Sequence, residues 1–145
     1  MRVVDANVLL YAVNEDARQH ESSVAWLDRA LSGADTVGFS WIAMLAFARI
    51  ATRSDIFRAP LTTSEAFEQL DVWIAAPGGR VLNPGEKHLD ILSRLADESG
   101  TAGNLVNDAH LAALAIEHRA SVVSFDRDFA RFDGLRVHRP DQLLT

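Results

Sequence analysis

The chain has 145 residues, 48% of them hydrophobic, and a formal net charge of −6 at neutral pH. This size and composition predict one compact domain over residues 1–145, large enough for its own hydrophobic core. The absence of cysteine excludes a disulfide framework, a thiolate metal site and a thiol nucleophile. The acidic balance argues against a protein that coats nucleic acid through bulk positive charge. Because a strand begins at residue 2 and no apolar run reaches membrane-spanning length, we expect a cytoplasmic protein without a signal peptide.

Short apolar strands alternate with helices along the whole chain. The predicted strands cover residues 2–4, 36–39, 81–82, 121–124 and 136–138. The predicted helices cover residues 8–13 (capped by Asn7), 17–31, 41–53 (capped by Ser40), 64–75 (capped by Thr63), 86–98 and 105–119, with a turn or short helix at 126–132. This alternation is typical of βαβ units. It predicts a three-layer α/β/α fold around a central, mostly parallel sheet of four to five short strands.

Acidic side chains stand where a parallel sheet would collect them. Asp5 follows the first strand directly, and Asp126 and Asp128 follow the strand at 121–124. Asp108 lies in the first turn of an otherwise apolar helix, where the helix dipole favours a carboxylate. Taken singly, each acid has a structural explanation as a helix-start or turn residue.

Taken together, the acids indicate a metal site. Two strands deliver carboxylates to one edge of the sheet, and the helix that carries Asp108 begins at that edge. Like charges gathered in a crevice repel one another, and protonation or a divalent cation must relieve the repulsion. Because the ligands are hard oxygens with no histidine or cysteine at ligand spacing, they favour Mg²⁺, with Mn²⁺ as the alternative, over zinc. Such a site suits hydrolysis of a phosphodiester by an activated water.

Three motifs in order resemble the PIN-domain ribonucleases, and more narrowly the VapC toxins of bacterial VapBC toxin–antitoxin pairs. They are Val-Val-Asp-Ala-Asn-Val-Leu-Leu-Tyr at 3–11, Asn-Asp-Ala-His-Leu-Ala-Ala-Leu-Ala at 107–115 and Val-Val-Ser-Phe-Asp-Arg-Asp-Phe at 122–129. The resemblance implies a PIN-like domain and a Mg²⁺-dependent endoribonuclease that cleaves a cellular RNA. It also implies a homodimer that a cognate VapB-type antitoxin holds inactive.

The resemblance assigns roles to particular residues of this chain. Asp5, Asp108 and Asp126 are the expected metal ligands and catalytic acids, and Asp128 is a supporting or fourth acid. Asn7 and Ser124 are expected to orient bound waters or the neighbouring carboxylates. Asp126 or Asp128 would accept the proton of the attacking water, and the cleaved RNA would carry a 5′-phosphate.

One position departs from the family pattern. Many PIN domains carry a glutamate in the helix after the second strand, where this chain has Ala46. The missing carboxylate favours one firmly held Mg²⁺ over two. Ala46, Arg49 and Arg53 share a helical stripe by their spacing, so the two arginines either bind RNA phosphates at the rim of the crevice or belong to a solvated face.

Two other functions are open to such a chain. A phosphorylatable receiver domain also places an acid at a strand end, but it requires a lysine late in the chain, and Lys87 is the only lysine. A catalytically weakened PIN-like module that binds RNA or protein is the stronger alternative, and Ala46 motivates it. His110, two residues after Asp108, is expected to pack rather than to act as a general base. Four aromatic side chains are expected to be mostly core: Trp26, Trp41, Phe47 and Phe57.

Overall fold

The computed structural model describes residues 1–144, so Thr145, the last residue of the expected domain, lies outside the described residues. Within this range the strands are β1 (Arg2–Val4), β2 (Val37–Ser40), β3 (Gly79–Leu82), β4 (Ser121–Val123) and β5 (Val137–His138). The α-helices are α1 (Ala6–Val13), α2 (His20–Arg29), α3 (Trp41–Ala51), α4 (Thr63–Ala75), α5 (His88–Ser99) and α6 (Leu105–Glu117). Short 3₁₀ helices cover Arg127–Arg131 and Pro140–Leu143.

The strands form one five-stranded sheet in the order β3-β2-β1-β4-β5. Every pairing in it is parallel, so the predicted α/β/α fold with a central parallel sheet is confirmed. Successive β1 residues point to opposite faces. Val4 joins a core with Leu9, Phe39 and Trp73 under helices α1 to α4. Val3 joins a second core under α5 and α6.

The strand order reverses its direction of growth at β1. The chain runs from β1 outward through β2 to β3, and then crosses to the other side of β1 to add β4 and β5. In open parallel sheets the crevice outside the carboxyl ends of the strands at such a reversal is where ligands bind. Here the reversal lies between β1 and β4, whose last residues, Val4 and Val123, are direct partners.

The N-cap of α1 corrects one prediction. Asp5, not Asn7, caps this helix, because the Asp5 Oδ1 atom accepts a hydrogen bond from the Ala6 backbone N–H at 2.7 Å. The helix therefore begins at Ala6, directly after the strand, and Asn7 lies in its first turn. The side chain of Asn7 is left to make contacts across the sheet.

Other helix ends also differ from the predicted ones. Helix α2 begins at His20 rather than at 17, because Asn14 closes a turn in which its Oδ1 atom accepts from the Asp16 N–H. Thr62, not Thr63, caps α4, and it forms a capping box with Glu65. Helix α3 ends at Ala51 instead of continuing to 53, so the predicted stripe on this helix stops before Arg53.

The aromatic side chains divide between core and surface. Trp26, Phe47 and Phe57 are buried as expected, but Trp41 is 55% exposed at the start of α3. Trp41 is the first residue after the Ser40 cap, where the helix leaves the sheet. No helix in residues 1–144 has the length and apolar character needed to cross a membrane.

Candidate functional site

The pairing of β1 with β4 brings Asp5 and Ser124 together at the carboxyl edge of the sheet. The Asp5 backbone N–H continues the ladder to the Val123 carbonyl oxygen at 3.0 Å. Beyond that bond the Ser124 hydroxyl donates to Asp5 Oδ2 at 2.6 Å. Ser124 is only 2% exposed. A buried hydroxyl therefore holds one oxygen of the first carboxylate, and the Ala6 N–H holds the other.

Asn7 and Ser124 link this carboxylate to the segment after β4. Asn7 Nδ2 donates to Ser124 Oγ at 3.2 Å, and Asn7 Oδ1 accepts from the Phe125 N–H at 3.3 Å. Ser124 Oγ in turn accepts from the Asp126 N–H at 2.9 Å. The structure thus places both predicted supporting residues between Asp5 and Asp126, where they fix the backbone that carries the second acid.

Three carboxylates approach closely enough to share one cation. One oxygen each from Asp108, Asp126 and Asp128 lies within 4.8 Å of the others. Asp126 Oδ1 also accepts from the Asp128 N–H at 2.9 Å, which fixes the turn between the two acids. The sequence pattern groups Asp5 with Asp108 and Asp126 and gives Asp128 a supporting place. In the structure Asp128 belongs to the close group, and Asp5 adjoins it.

The electrostatics of the cluster reflect crowding of like charges in a partly buried place. Burial is the largest cause that raises the pKa of Asp108 to about 6, and repulsion from Asp126, Asp5 and Asp128 adds to it. Burial likewise raises the pKa of Asp5, against the opposing hydrogen bonds from Ser124 and Ala6. A divalent cation would remove this repulsion.

The donor set fits a hard divalent ion. The available atoms are carboxylate oxygens, which Mg²⁺ and Mn²⁺ prefer. Oxygens on opposite sides of one Mg²⁺ lie about 4 Å apart, so a group within 4.8 Å has the size for a single ion. Asp108, Asp126 and Asp128 could hold it, with Asp5 next to them.

A cavity of about 220 Å³ lies over the acids. Asp5, Asp108 and Asp126 line it, together with Ala46 and Arg49 from α3. Ala46 thus faces the acids, as the family pattern implies for its position. Arg49 is exposed and supplies a positive charge at the rim.

The cavity is also lined by two asparagines that the sequence analysis does not predict as site residues. Asn104 and Asn107 both line the cavity at the start of α6. The sequence predicts that Asn104 opens this helix, but its side chain makes no capping hydrogen bond. The position of both asparagines near Asp108, at the start of the same helix, is the signal that could have identified them.

Arg53 and His110 lie away from the acids. Arg53 follows the end of α3 and pairs with Asp55, and it does not line the cavity. His110 Nδ1 lies 2.9 Å from His88 Nε2 in a ring contact between α5 and α6. The packing interpretation of His110 agrees with this contact.

Comparisons with known proteins agree with the fold. The PIN domain family profile matches residues 2–135. The chain is 56% identical to Ribonuclease VapC37 of Mycobacterium tuberculosis over 99% of this chain and 100% of that protein. It is 41% identical to Ribonuclease VapC31 of the same species over 97% of this chain and 99% of that protein.

Solved structures share the fold at low sequence identity. VapBC2 from Rickettsia felis, bound to a DNA fragment from its promoter, has a TM-score of 0.69 at 19% identity, covering 95% of this chain and 97% of that chain. FitAB bound to the IR36 DNA fragment has a TM-score of 0.70 at 23% identity, covering 97% and 95% of the two chains. From the family match and the identity to the mycobacterial relatives, the chain belongs to the PIN domain family and, within it, to the VapC-type ribonucleases.

Proposed function

We propose that the chain is a Mg²⁺-dependent endoribonuclease, the toxin of a toxin–antitoxin pair, which cleaves a cellular RNA in the cytoplasm. The observation that carries the proposal is the group of carboxylate oxygens from Asp108, Asp126 and Asp128 within 4.8 Å. Asp5 beside them and Arg49 at the rim of the same cavity support it. Mn²⁺ would satisfy the same donor set.

In this proposal the close group of Asp108, Asp126 and Asp128 would hold the ion together with Asp5, which lines the same cavity beside them. When bound, the ion supplies an activated water and neutralises charge on the scissile phosphate. Ser124 and Asn7 hold Asp5 and the segment before Asp126 in place through their hydrogen bonds.

The remaining side chains divide between proton transfer and phosphate binding. Asp126 or Asp128 would accept the proton of the attacking water. The attack forms a new bond from the water oxygen to phosphorus and breaks the bond from phosphorus to the 3′-oxygen, which takes up a proton and leaves as a hydroxyl, so the cleaved RNA would carry a 5′-phosphate. Arg49 binds a phosphate at the rim, because a guanidinium presents donors that match phosphate oxygens. Arg53 contributes little, since Asp55 already engages it.

Removing one acid should stop cleavage without unfolding the chain. We expect Asp108→Asn and Asp5→Asn each to lower the rate of RNA cleavage by about a hundredfold or more and to abolish growth arrest. The measurement is Mg²⁺-dependent cleavage of total cellular RNA by the purified chain, with thermal unfolding as the check on folding.

Asp90→Asn is the matched control, because Asp90 is exposed in the first turn of α5, away from the acids. It should leave cleavage unchanged. Full activity in either Asp108→Asn or Asp5→Asn would contradict the proposed mechanism. Calorimetric titration that detects no Mg²⁺ binding to the wild-type chain would favour the binding-only module instead.

The raised pKa of Asp108, about 6, predicts a pH-dependent stability of the metal-free chain. The folded state binds this proton more tightly than the unfolded state, whose ordinary aspartate pKa is about 3.9. The resulting stability is present at low pH and is lost as pH rises through about 6. Asp108→Asn removes the charge, so we expect it to stabilise the metal-free chain by about 1 kcal/mol near pH 7.5, allowing for solvent screening.

This gain should shrink as the pH falls to about 5, where wild-type Asp108 is largely protonated. Urea unfolding at the two pH values in a metal chelator measures it, and Asp90→Asn should shift stability equally at both. Mg²⁺ should stabilise the wild type more than Asp108→Asn, because only the wild type keeps the full ligand set. A gain that does not depend on pH would contradict the assigned electrostatics.

Ala46 provides a test of how many carboxylates the ion contacts. Because Ala46 lines the cavity with Asp5 and Asp108, Ala46→Glu would add a carboxylate beside them. We expect Mg²⁺ to bind about tenfold more tightly, measured by calorimetry, with cleavage reaching its maximum at lower Mg²⁺. Ala46→Gln has the same size without the charge and should not tighten binding. Equal Mg²⁺ affinity in the two variants would show that position 46 does not face the ion.

We also propose a VapB-type antitoxin and a second copy of the chain as partners. The solved structures with this fold include VapBC2 of Rickettsia felis, a complex. Large apolar side chains are exposed on α3 and α4, which supports contacts with another protein: Trp41, Leu45, Phe67 and Val72.

Expression of the chain alone should arrest growth, and co-expression with the product of the adjacent small reading frame should restore it. The two proteins should then purify together, and sedimentation of the free chain should give twice the chain mass. Asp108→Asn, expressed alone, should not arrest growth yet should still capture the antitoxin. Growth arrest that no neighbouring product relieves would contradict the antitoxin proposal.

A further inference from the structure

A second cavity, of about 590 Å³, opens beside the acidic cluster. We call it the β5 cavity, because β5 and the residues after it form one wall. The α1–α2 connection forms another wall, and the segment after β4 forms the third. The charged and polar side chains in its lining include Arg18, Ser124, Asp126, Arg127, His138 and Arg139. Its volume lies within the range of roughly 300–1,000 Å³ typical of sites for small organic groups.

The β5 cavity adjoins the acidic cluster through shared residues. Asp126 lines both this cavity and the one over the acids. Ser124, which holds Asp5, also lines the β5 cavity. A polymeric substrate that reaches the acids would therefore find, in the β5 cavity, space for the next monomer along its length.

The charge of the β5 cavity is opposite to that of the chain as a whole. The chain carries a net charge of −6, yet Arg18 and Arg127 line the cavity and both are exposed. Within residues 1–144 neither of them takes part in an ion pair. Arg139, the third cavity arginine, is already paired with Asp141. Two guanidinium groups are thus available for an anion.

Two further lining residues, His138 and Phe125, offer rings that a flat heterocycle can contact. Burial is the first cause that lowers the pKa of His138, with Arg2 and Arg136 adding to it. The neutral imidazole that results presents one donor and one acceptor. Phe125 also lines the cavity, and its ring is fixed edge-on against Tyr11 at a centroid distance of 5.3 Å. A ribonucleotide combines an anionic phosphate with a flat, hydrogen-bonding base.

We propose that the β5 cavity binds one nucleotide of a single-stranded RNA next to the scissile phosphodiester, with Arg18 and Arg127 contacting its phosphates. This inference rests on the proposed ribonuclease function and names the residues that position its substrate. Arginines that contact phosphate and an aromatic or imidazole ring beside the base are the means by which single strands are bound. The net negative chain and its acidic centre repel RNA, and the two arginines offset this repulsion.

The test measures binding and cleavage separately. The probe is a short fluorescein-labelled single-stranded oligoribonucleotide of mixed sequence, titrated with the full-length chain in a metal chelator, where metal-dependent cleavage is blocked. We expect Arg18→Ala and Arg127→Ala each to weaken binding by about tenfold. The slope of log affinity against log salt should become shallower by about 0.7 for each phosphate that the variant no longer neutralises. Cleavage in Mg²⁺ at subsaturating RNA should fall by a similar factor.

Arg80→Ala is the matched control. Arg80 is exposed on β3, at the opposite edge of the sheet from β5, and its removal should change affinity by less than about twofold. Arg18→Lys keeps the charge but loses the fork of donors, so it should recover the salt slope more fully than the affinity. A merely structural role for Arg18 would move the unfolding temperature instead of the salt slope.

The outcomes separate the cavity proposal from the proposed function. If the wild type binds and cleaves RNA while Arg18→Ala and Arg127→Ala behave like Arg80→Ala, the cavity proposal is wrong and the ribonuclease proposal stands. If those variants lose binding but Asp108→Asn cleaves like the wild type, the cavity proposal stands and the metal mechanism is wrong. If the wild type neither binds nor cleaves RNA, both are overturned.

Discussion

The parallel pairing of β1 with β4 is the constraint on which the candidate site depends. These strands are remote in the chain, yet Val4 lies opposite Val123. The next residue of each strand is therefore delivered to the same edge, and Ser124 Oγ donates to Asp5 Oδ2 there. A shift of this register by one residue would turn the side chains of one strand to the opposite face and separate the pair. The apolar cores on the two faces of the sheet hold the register, because Val3 and Val4 are both fully buried.

The acids are held together against their own repulsion. Asp108 and Asp5 have raised pKa values because the fold buries them near other carboxylates. A fold stabilised by apolar packing can carry this local destabilisation, which proteins tend to concentrate at functional sites. The positive charges stand outside the acidic group, Arg49 on one side and Arg18 and Arg127 on the other. This arrangement is the one that the proposed function requires, in which a polyanion reaches a cation among the acids.

Much of the fold is accessible from the sequence, because the helices and strands are locally consistent. Apolar runs bounded by turn residues locate most strand ends to within one or two residues. The predicted cap of α1 is wrong because Asp5 and Asn7 are both good capping residues, and only the folded backbone shows that the Asp5 carboxylate accepts from the first free N–H of the helix. The predicted α3 is too long because nothing in the residues around 51–53 breaks a helix. Large apolar side chains usually lie in the core, but the position of Trp41 at the helix start leaves it exposed.

The chain's residues alone determined the type of candidate site: carboxylates after two strands and in one helix turn, hard oxygen donors without cysteine, and Ala46 where the family pattern has an acid. Those properties are local, so they follow from residue type and position along each element. Only the tertiary structure decided which acids lie closest, that Arg49 rather than Arg53 borders them, and that a second cavity lined by arginines adjoins Asp126. The physical reason is that these distances join segments remote in sequence, and packing of the whole sheet and its helices sets them.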